Sequence, residues 1–415
     1  MNPNYLIIII IILTIFYFSY IAYFKIRYKF WSLQPVNHYH NFLNKFKENK
    51  IVQMEMPIKN KYVNLFDIKL YNENELSNLS KTNVLSLLRT AYLTDPANQV
   101  YYRPKDNNFL PYLINNSKKS VICVYIKPCP IITENQRVIN IPKELGLITS
   151  KYMNLFINKT YYESFYVDFL VVDKKNRKQN IAPSLIQTLY YHQRHLYPKI
   201  HINIFKREDS QNFIKPIVRY LSYGYDLDLV DIDKKRNEMN ISYFGYEARL
   251  VDKKTYIDFY TYLKSIMNNF DLLYLPCVSN LLELINSKNY IVFTIHKYTT
   301  QQTENVNSKS NILGFYIFKN NTCYYYNKNS ISLICSYWEQ SKLYKEEFLY
   351  MFLNVLNEIK KYFPILIIED ITYNNILIKS FSVEENNIII ESSTGYYFYN
   401  FISKEFSKER TLFLT

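Results

Sequence analysis

Glycine occurs five times in 415 residues, as Gly146, Gly224, Gly245, Gly314 and Gly395, and no two lie closer than 21 positions. Average usage would supply roughly 29. Several chemistries are thereby excluded. The chain has no G-x-G-x-x-G dinucleotide loop, no G-x-x-x-x-G-K-[ST] phosphate loop and no G-x-S-x-G nucleophile elbow. A phosphate-bearing ligand is left with one option, a loop that works without glycine.

The remaining composition narrows the class. Hydrophobic residues make up 48% and aromatic residues 17%, which describes a globular chain long enough for two domains. Lys and Arg total 50 against 36 Asp and Glu, a net charge of +14. Such a charge suits nucleic acid, an anionic membrane or an anionic ligand. No basic patch is interleaved with aromatics in a stacking register, which argues against nucleic acid.

Tyr5 to Phe24 is a stretch of 20 residues without a charge. As a helix it spans about 30 Å, the thickness of a bilayer core. Lys25, Arg27 and Lys29 follow it and no charged side chain precedes it. By the positive-inside rule this predicts a single-pass anchor with the bulk of the protein on the cytoplasmic side. A cleavable signal peptide fits less well, because the basic n-region and the A-x-A pattern are missing. Five cysteines without a C-x-x-C pair read as buried thiols of a reducing compartment. His192 and His195 share a helical face, but nothing nearby completes a metal set, and no metal is expected.

In the soluble part, Val121 to Ile126, Leu145 to Phe156 and Ser164 to Val172 read as strands. The last, SFYVDFLVV, is apolar almost throughout, so both faces are expected to be covered; Asp168 interrupts it. A basic loop follows, then a helix from Pro183 to about Tyr197 with Leu185, Leu189 and Leu196 on one face, then a strand over Ile200 to Phe205. The second half repeats this order. Strands over Tyr290 to His296, Ile312 to Phe318 and Ile331 to Tyr337 precede a helix over Glu346 to Phe363 and a strand over Ile365 to Ile368. Thr299 to Asn311 is a polar loop between strands. The repetition predicts two related α/β halves meeting near residues 224–245.

One segment points to chemistry. Lys174, Lys175, Arg177 and Lys178 lie just before the first helix, where free backbone N–H groups and the helix dipole favour an anion. A diphosphate needs that combination; a solvated charge run is the plainer alternative.

Two motifs decide between them. YKFWSLQPV (Tyr28 to Val36) and VDFLVVDKKNRKQNIAPSLI (Val167 to Ile186) resemble the N-myristoyltransferases, whose segments run like Y-K-F-W-x-T-Q-P-V and N-F-L-C-V-x-K-K-L-R-x-K-R-x-A-P-x-L-I. Softer likenesses follow in TAYLTDPANQVYYRP, ELGLITSKYMNLFI and GYYFYNF, so the resemblance runs in order over about residues 31–415. It implies an α/β fold of two acetyltransferase-like (GNAT) halves with a pseudo-two-fold relation, here behind one N-terminal transmembrane helix. The expected division is an anchor over 1–27, an acyl-CoA half over 28–225 and an acceptor half over 226–415.

The resemblance also implies roles. Phe169 and Leu170 match the pair whose backbone N–H groups hold the thioester oxyanion, each such donor worth about 10²–10³ in rate. Tyr28, Lys29, Phe30 and Trp31 match the segment along coenzyme A. Arg177, Lys178, Gln179, Asn180, Ala182 and Pro183 match the phosphate loop and helix start. Tyr92, Asp95 and Tyr220 fall on the acceptor side, and Thr415 would supply a C-terminal carboxylate as general base. The apolar ending TLFLT suits a terminus that tucks into a core. The implied activity is transfer of myristate from myristoyl-CoA, as co-substrate, to N-terminal glycines of peptides or proteins, by a membrane-bound monomer.

The departures gather on the acceptor side. The phosphate loop has Asn180 where the family has a further cation, and Asp168 replaces an Asn. The family's Y-T-A-G strand end corresponds loosely to HINIFKR (His201 to Arg207), and its R-Y-W-H appears as Arg219, Tyr220, Leu221 and Ser222. Two rival functions therefore stay open: an inactive acyl-CoA- or lipid-binding scaffold, and a transferase acting on another amine.

Overall fold

The computed structural model describes residues 3–41, 44, 49–75, 81–132, 138–208, 213–239, 245–297, 312–381 and 388–415. The polar loop expected over Thr299 to Asn311 lies outside them. Among the described residues, fifteen strands form one mixed sheet.

The repeat is visible in its hydrogen bonding. Strand Val138–Ile157 turns through Asn158 and Lys159, at φ 47° and 69°, into the antiparallel strand Thr160–Val172. A two-residue turn with both φ positive matches the right-handed twist of a hairpin. Helix Ile181–Leu196 then crosses over to Ile202–Glu208, which lies parallel to Thr160–Val172. In the second half, Ile312–Tyr325 turns through Tyr326 and Asn327, at φ 51° and 63°, into Lys328–Trp338. Helix Lys345–Lys360 crosses over to the parallel strand Ile365–Glu369. These are two like units of hairpin, crossover helix and parallel strand, in the expected order.

The closing strand of each unit lies on the other unit. Val218–Asp226 pairs with Ile365–Glu369, and Ile388–Tyr399 pairs with Ile202–Glu208. The two also pair with each other, Thr394 opposite Tyr220, at the middle of the sheet. The chain end returns to the first half: Thr411–Phe413 runs parallel to Leu272–Leu275, which is bonded to Val138–Ile157.

Helix Ile181–Leu196 begins two residues before Pro183, which occupies the first turn, where a missing N–H breaks no helical bond. Leu185 and Leu189 are buried against the sheet, but Leu196, expected beside them, is 50% exposed at the last helical position. The helix seats closely because residue 146 is glycine. A Cβ there would lie 2.9 Å from Leu185 Cδ1 and 3.0 Å from Ile181 Cγ2. None of the described glycines has positive φ; the fifteen left-handed positions carry other residues, six of them asparagine. Asparagine tolerates that region better than most side chains. Cys123, Cys277, Cys323 and Cys335 are buried as expected, while Cys129 is only half-buried.

Helix Pro3–Arg27 is apolar on every side, and none of its membrane-length stretch is buried by the rest of the described chain, although Tyr17 and Tyr20 touch His40. It is long and apolar enough to cross a bilayer. Only its last turns dock: Phe24 is 2% exposed and packs on Tyr28, His38, His40 and Phe213.

Candidate active site

The parallel pair at the head of the first unit comes apart. Pairing of Thr160–Val172 with Ile202–Glu208 runs from Ser164 opposite Ile202 to Val167 opposite Phe205 and then stops. On its other edge the register shifts at the same level: Leu147 faces Val171 and Thr149 faces Asp168. Phe169 and Leu170 thus stand against Ile148 alone, a β-bulge that takes backbone groups out of the ladder. Phe169 sits at φ 52°, a strained conformation for an aromatic residue of about 1–3 kcal/mol, held by burial of its ring among Tyr92, Phe109 and Tyr112. Its N–H donates to Asp168 Oδ1 at 2.7 Å, and the Tyr92 hydroxyl donates to the same oxygen at 3.0 Å.

A cavity of about 1000 Å³ opens at this split. Of the expected residues, Trp31, Tyr92, Asp95, Phe169, Leu170 and Arg177 line it. Trp31 stacks on Phe205, and Phe30 is buried beneath Tyr62. Tyr28 lies against Phe213 and Lys29 is exposed; neither is on the cavity wall. Asp95 is tied into its own turn, accepting from the Ala97 N–H and the Asn98 amide.

Beside the cavity, the turn into helix Ile181–Leu196 uses left-handed Lys178 (φ 65°) and Asn180 (φ 61°). Asn180 occupies the N-cap but its side chain makes no capping bond, and Pro183 has no N–H to offer. Ile181 and Ala182 therefore begin a helix with no side-chain cap. The matching helix of the second unit is closed: Glu347 accepts the Tyr344 N–H at 2.8 Å. Lys174, Lys175, Arg177, Lys178, Gln179 and Asn180 are all exposed around the open end. Arg177 and Lys174 also reach the main-chain oxygens of Ala91 and Thr94, tying the Tyr92 segment to this turn.

Sequence reasoning missed a set of buried charges on the far side of the cavity. Glu369 binds Lys206 Nζ through Oε1 at 2.7 Å and accepts the Tyr220 hydroxyl through Oε2 at 2.6 Å. Burial disfavours the Lys206 ammonium, but Glu369 outweighs that and holds its pKa above the ordinary lysine value. Thr415 is 5% exposed, and its main-chain oxygen accepts from Lys319 Nζ at 2.9 Å and the Tyr290 hydroxyl at 2.8 Å. The Tyr396 hydroxyl meets Thr415 Oγ1 at 3.0 Å. Thr415 stands behind Lys319, which lines the cavity, rather than on the wall itself. The signal for Lys319, and for Lys151 on the first unit, was present: each is a lone charge inside an apolar strand, FYIFKNN and LITSKYM.

Lys151 is the extreme case. Its ammonium nitrogen is buried without a hydrogen-bond partner, 4.9 Å from the centre of the Tyr112 ring. Burial first, and the neighbouring Lys319 second, bring its pKa down to about 7. Between that value and its ordinary 10.5 the unfolded chain binds one more proton than the folded one. Stability therefore rises with pH through this window, by up to about 1.4 kcal/mol per unit. Lys151→Met is expected to be more stable than the parent at pH 6–7 and to lose most of that slope. Lys319, lowered by burial in the same direction, contributes a slope of the same sign. Urea unfolding from pH 6 to 9 measures both, and equal slopes would exclude a buried neutral Lys151.

Among the described residues, no group of three or more His, Cys, Asp and Glu is placed to hold a metal ion. No protein-family model matches the sequence, and no curated protein matches it. Solved structures do. The fold is similar to Saccharomyces cerevisiae N-myristoyltransferase with bound myristoyl-CoA, at 14% identity and a TM-score of 0.65 over 92% of this chain and 90% of that one. A second structure of that complex gives a TM-score of 0.63 at 14% identity, covering 91% of this chain and 93% of the other. A third, with myristoyl-CoA and inhibitors, gives 0.64 at 15% identity over 91% and 90%. The bulged strand, the crossover helix and the exchanged central strands of this chain thus form the N-myristoyltransferase fold.

Proposed function

We propose that the protein is a membrane-anchored acyltransferase that moves myristate from myristoyl-CoA to the N-terminal glycine of acceptor proteins. One observation carries this reading: the bulge at Phe169 and the uncapped helix at Ile181 stand beside the same cavity. Coenzyme A carries phosphates and a thioester, and these two features suit them in turn. Phosphate oxygens suit backbone N–H groups at a helix N-terminus ringed by Lys174, Lys175, Arg177 and Lys178. A thioester oxygen suits N–H donors released from a ladder, at Phe169 and Leu170. Trp31 provides an aromatic wall between them.

In this reading the first 27 residues anchor the chain, residues 28–225 hold acyl-CoA and residues 226–415 complete the acceptor side. The α-amine of glycine attacks the thioester carbon directly, and the Thr415 carboxylate takes the proton. An ordinary α-carboxyl near pKa 3.5 and α-ammonium near 7.8 differ by about 4 units, roughly 6 kcal/mol. Burial has to narrow that gap. Lys319 and the Tyr290 hydroxyl hold the Thr415 oxygen in place, and the buried cationic surroundings favour a neutral amine, which narrows the gap from the amine's side. Lys25, Arg27 and Lys29 at the end of helix Pro3–Arg27 support a cytoplasmic side for the catalytic part.

The test is to incubate the full chain, in detergent, with labelled myristoyl-CoA and a library of glycine-leading peptides. Label on N-terminal glycine supports the proposal. Label on another amine supports a different acceptor, and binding without turnover supports a scaffold, which the engaged Phe169 N–H favours. The same protein should float with phospholipid vesicles; a chain that stays with the soluble fraction contradicts the anchor.

A further inference from the structure

Residues 52–66 carry an apolar surface that the fold keeps outside. The Phe66 side is 95% exposed and Ile58 86%, with Met54 and Leu65 also exposed. The backbone beneath them is fixed. Gln53 and the Asn400 amide exchange bonds of 2.7 and 3.0 Å. Arg194, itself buried, donates through Nη2 to the main-chain oxygens of Met54 and Glu55 at 3.1 and 3.3 Å. At the other end, Asn64 donates its N–H to Thr188 Oγ1, and its side chain accepts the N–H groups of Phe66 and Asp67. A loop tied down at both ends, with its largest apolar side chains turned to solvent, marks an interaction surface.

Its place and its charge say what it meets. Tyr62 packs edge-on against Phe30 at 5.2 Å between centroids, and Phe30 is three residues beyond the end of helix Pro3–Arg27. Ile58 and Phe66 are each four residues from Tyr62, at most about 14 Å along an extended chain. Lys50, Lys59, Lys61 and Lys69 accompany the loop, all exposed, against Glu55 and Asp67. Asp67 is already engaged by Asn64 and Tyr125. Apolar tips set among lysines, beside the root of a bilayer-length helix, match the interface of an anionic membrane.

We infer that residues 52–66 are a second membrane contact, in which Ile58, Leu65 and Phe66 enter the headgroup boundary and Lys59 and Lys61 meet lipid phosphates. The inference rests on the membrane-anchored reading above. Alone, so small a contact is weak; tethered by the helix, it works at high effective concentration and persists. The catalytic part then lies against the bilayer instead of swinging from its anchor. Helix Ile181–Leu196 links this surface to the cavity: its Thr188 and Arg194 hold the loop, while its Ile186, Leu189 and Tyr190 line the cavity. The support of the membrane loop and a wall of the cavity are one element.

The test places the full chain in phosphatidylcholine vesicles containing phosphatidylserine, with or without lipid brominated in the upper acyl chain. Phe66→Trp adds an indole to Trp31 and Trp338 of the parent, and its fluorescence is taken as the difference between the two proteins. Brominated lipid is expected to quench about half of that difference or more, as for a side chain seated in the interface. Adding Lys59→Glu and Lys61→Glu to the same protein should cut the quenching at least about twofold, because anionic lipid then repels the loop. Equal thermal unfolding of parent and variants reports an intact fold. An unquenched indole in a chain that floats with the vesicles overturns the contact; if that chain also sediments as a dimer, the surface serves a second copy instead. Quenching unchanged by the two glutamates overturns the role of the lysines. A parent chain that stays out of the vesicles has failed the anchored reading, and the inference falls with it.

Discussion

A short soluble tag appended after Thr415 is expected to lower acyl transfer by about 10²–10⁴, the contribution of a positioned general base, while acyl-CoA still binds. The last residues are enclosed by the core. Leu414 is fully buried and its N–H is bonded to the Tyr274 main-chain oxygen at 2.9 Å. The Phe413 ring stacks on Tyr396 at 3.9 Å between centroids. A longer chain must withdraw Thr415 to find an exit, and a peptide carbonyl in its place accepts hydrogen bonds but takes no proton. Transfer rate and acyl-CoA affinity, measured on the same preparation, separate a lost base from a lost fold. Full activity of the tagged protein would sink the assignment of Thr415.

Glu369→Ala is expected to cost about 3–5 kcal/mol of stability, the usual range for stranding one partner of a buried ion pair. The substitution leaves the Lys206 ammonium and the Tyr220 hydroxyl without their shared acceptor at the middle of the sheet. The Lys206 side chain is 24% exposed, toward a cavity that admits water, which places the effect at the low end. Glu369→Gln keeps an acceptor and should lose less. Replacing both partners by apolar residues, Glu369→Leu with Lys206→Met, should recover most of the loss, since no charge is left uncompensated. Urea unfolding of the four proteins gives the comparison. A loss below about 1 kcal/mol in Glu369→Ala would mean that water already screens the pair.

What the sequence disclosed was local. The run SFYVDFLVV, the basic turn and the helix with Pro183 in its first turn could be read because β-branched and aromatic residues, cations and prolines act on their immediate neighbours. The second unit was legible for the same reason. The bulge at Phe169 was not, because it is a register shift against Leu147 and Thr149 on another strand. Nor was the exchange of central strands, which pairs Leu366 with Tyr225 and Tyr397 with Phe205 across long stretches of chain. Asp168 drew notice as a charge within an apolar strand, whereas Lys151, Lys319 and Glu369, equally out of place, were passed over. Their meaning lies in partners far along the sequence: Lys319 meets Thr415, and Glu369 meets Lys206. The glycine count anticipated that any phosphate turn would be built without glycine, and the basic turn proposed for that role has Lys178 and Asn180 as its left-handed residues.

The exchanged strands also set a timetable for synthesis. When strand Ile202–Glu208 leaves the ribosome, the segment that covers its open edge, Ile388–Tyr399, has not been made. About 180 residues separate them, roughly 9–36 s of translation at 5–20 residues per second. For that interval the nascent first unit carries an unpaired strand edge, a row of open main-chain groups of the kind that recruits strands from other chains. Chaperone protection, or a second chain of the same kind, would meet that edge before its own partner does. Circular permutants that bring Ile388–Tyr399 out earlier should therefore fold with higher yield during translation than after dilution from denaturant.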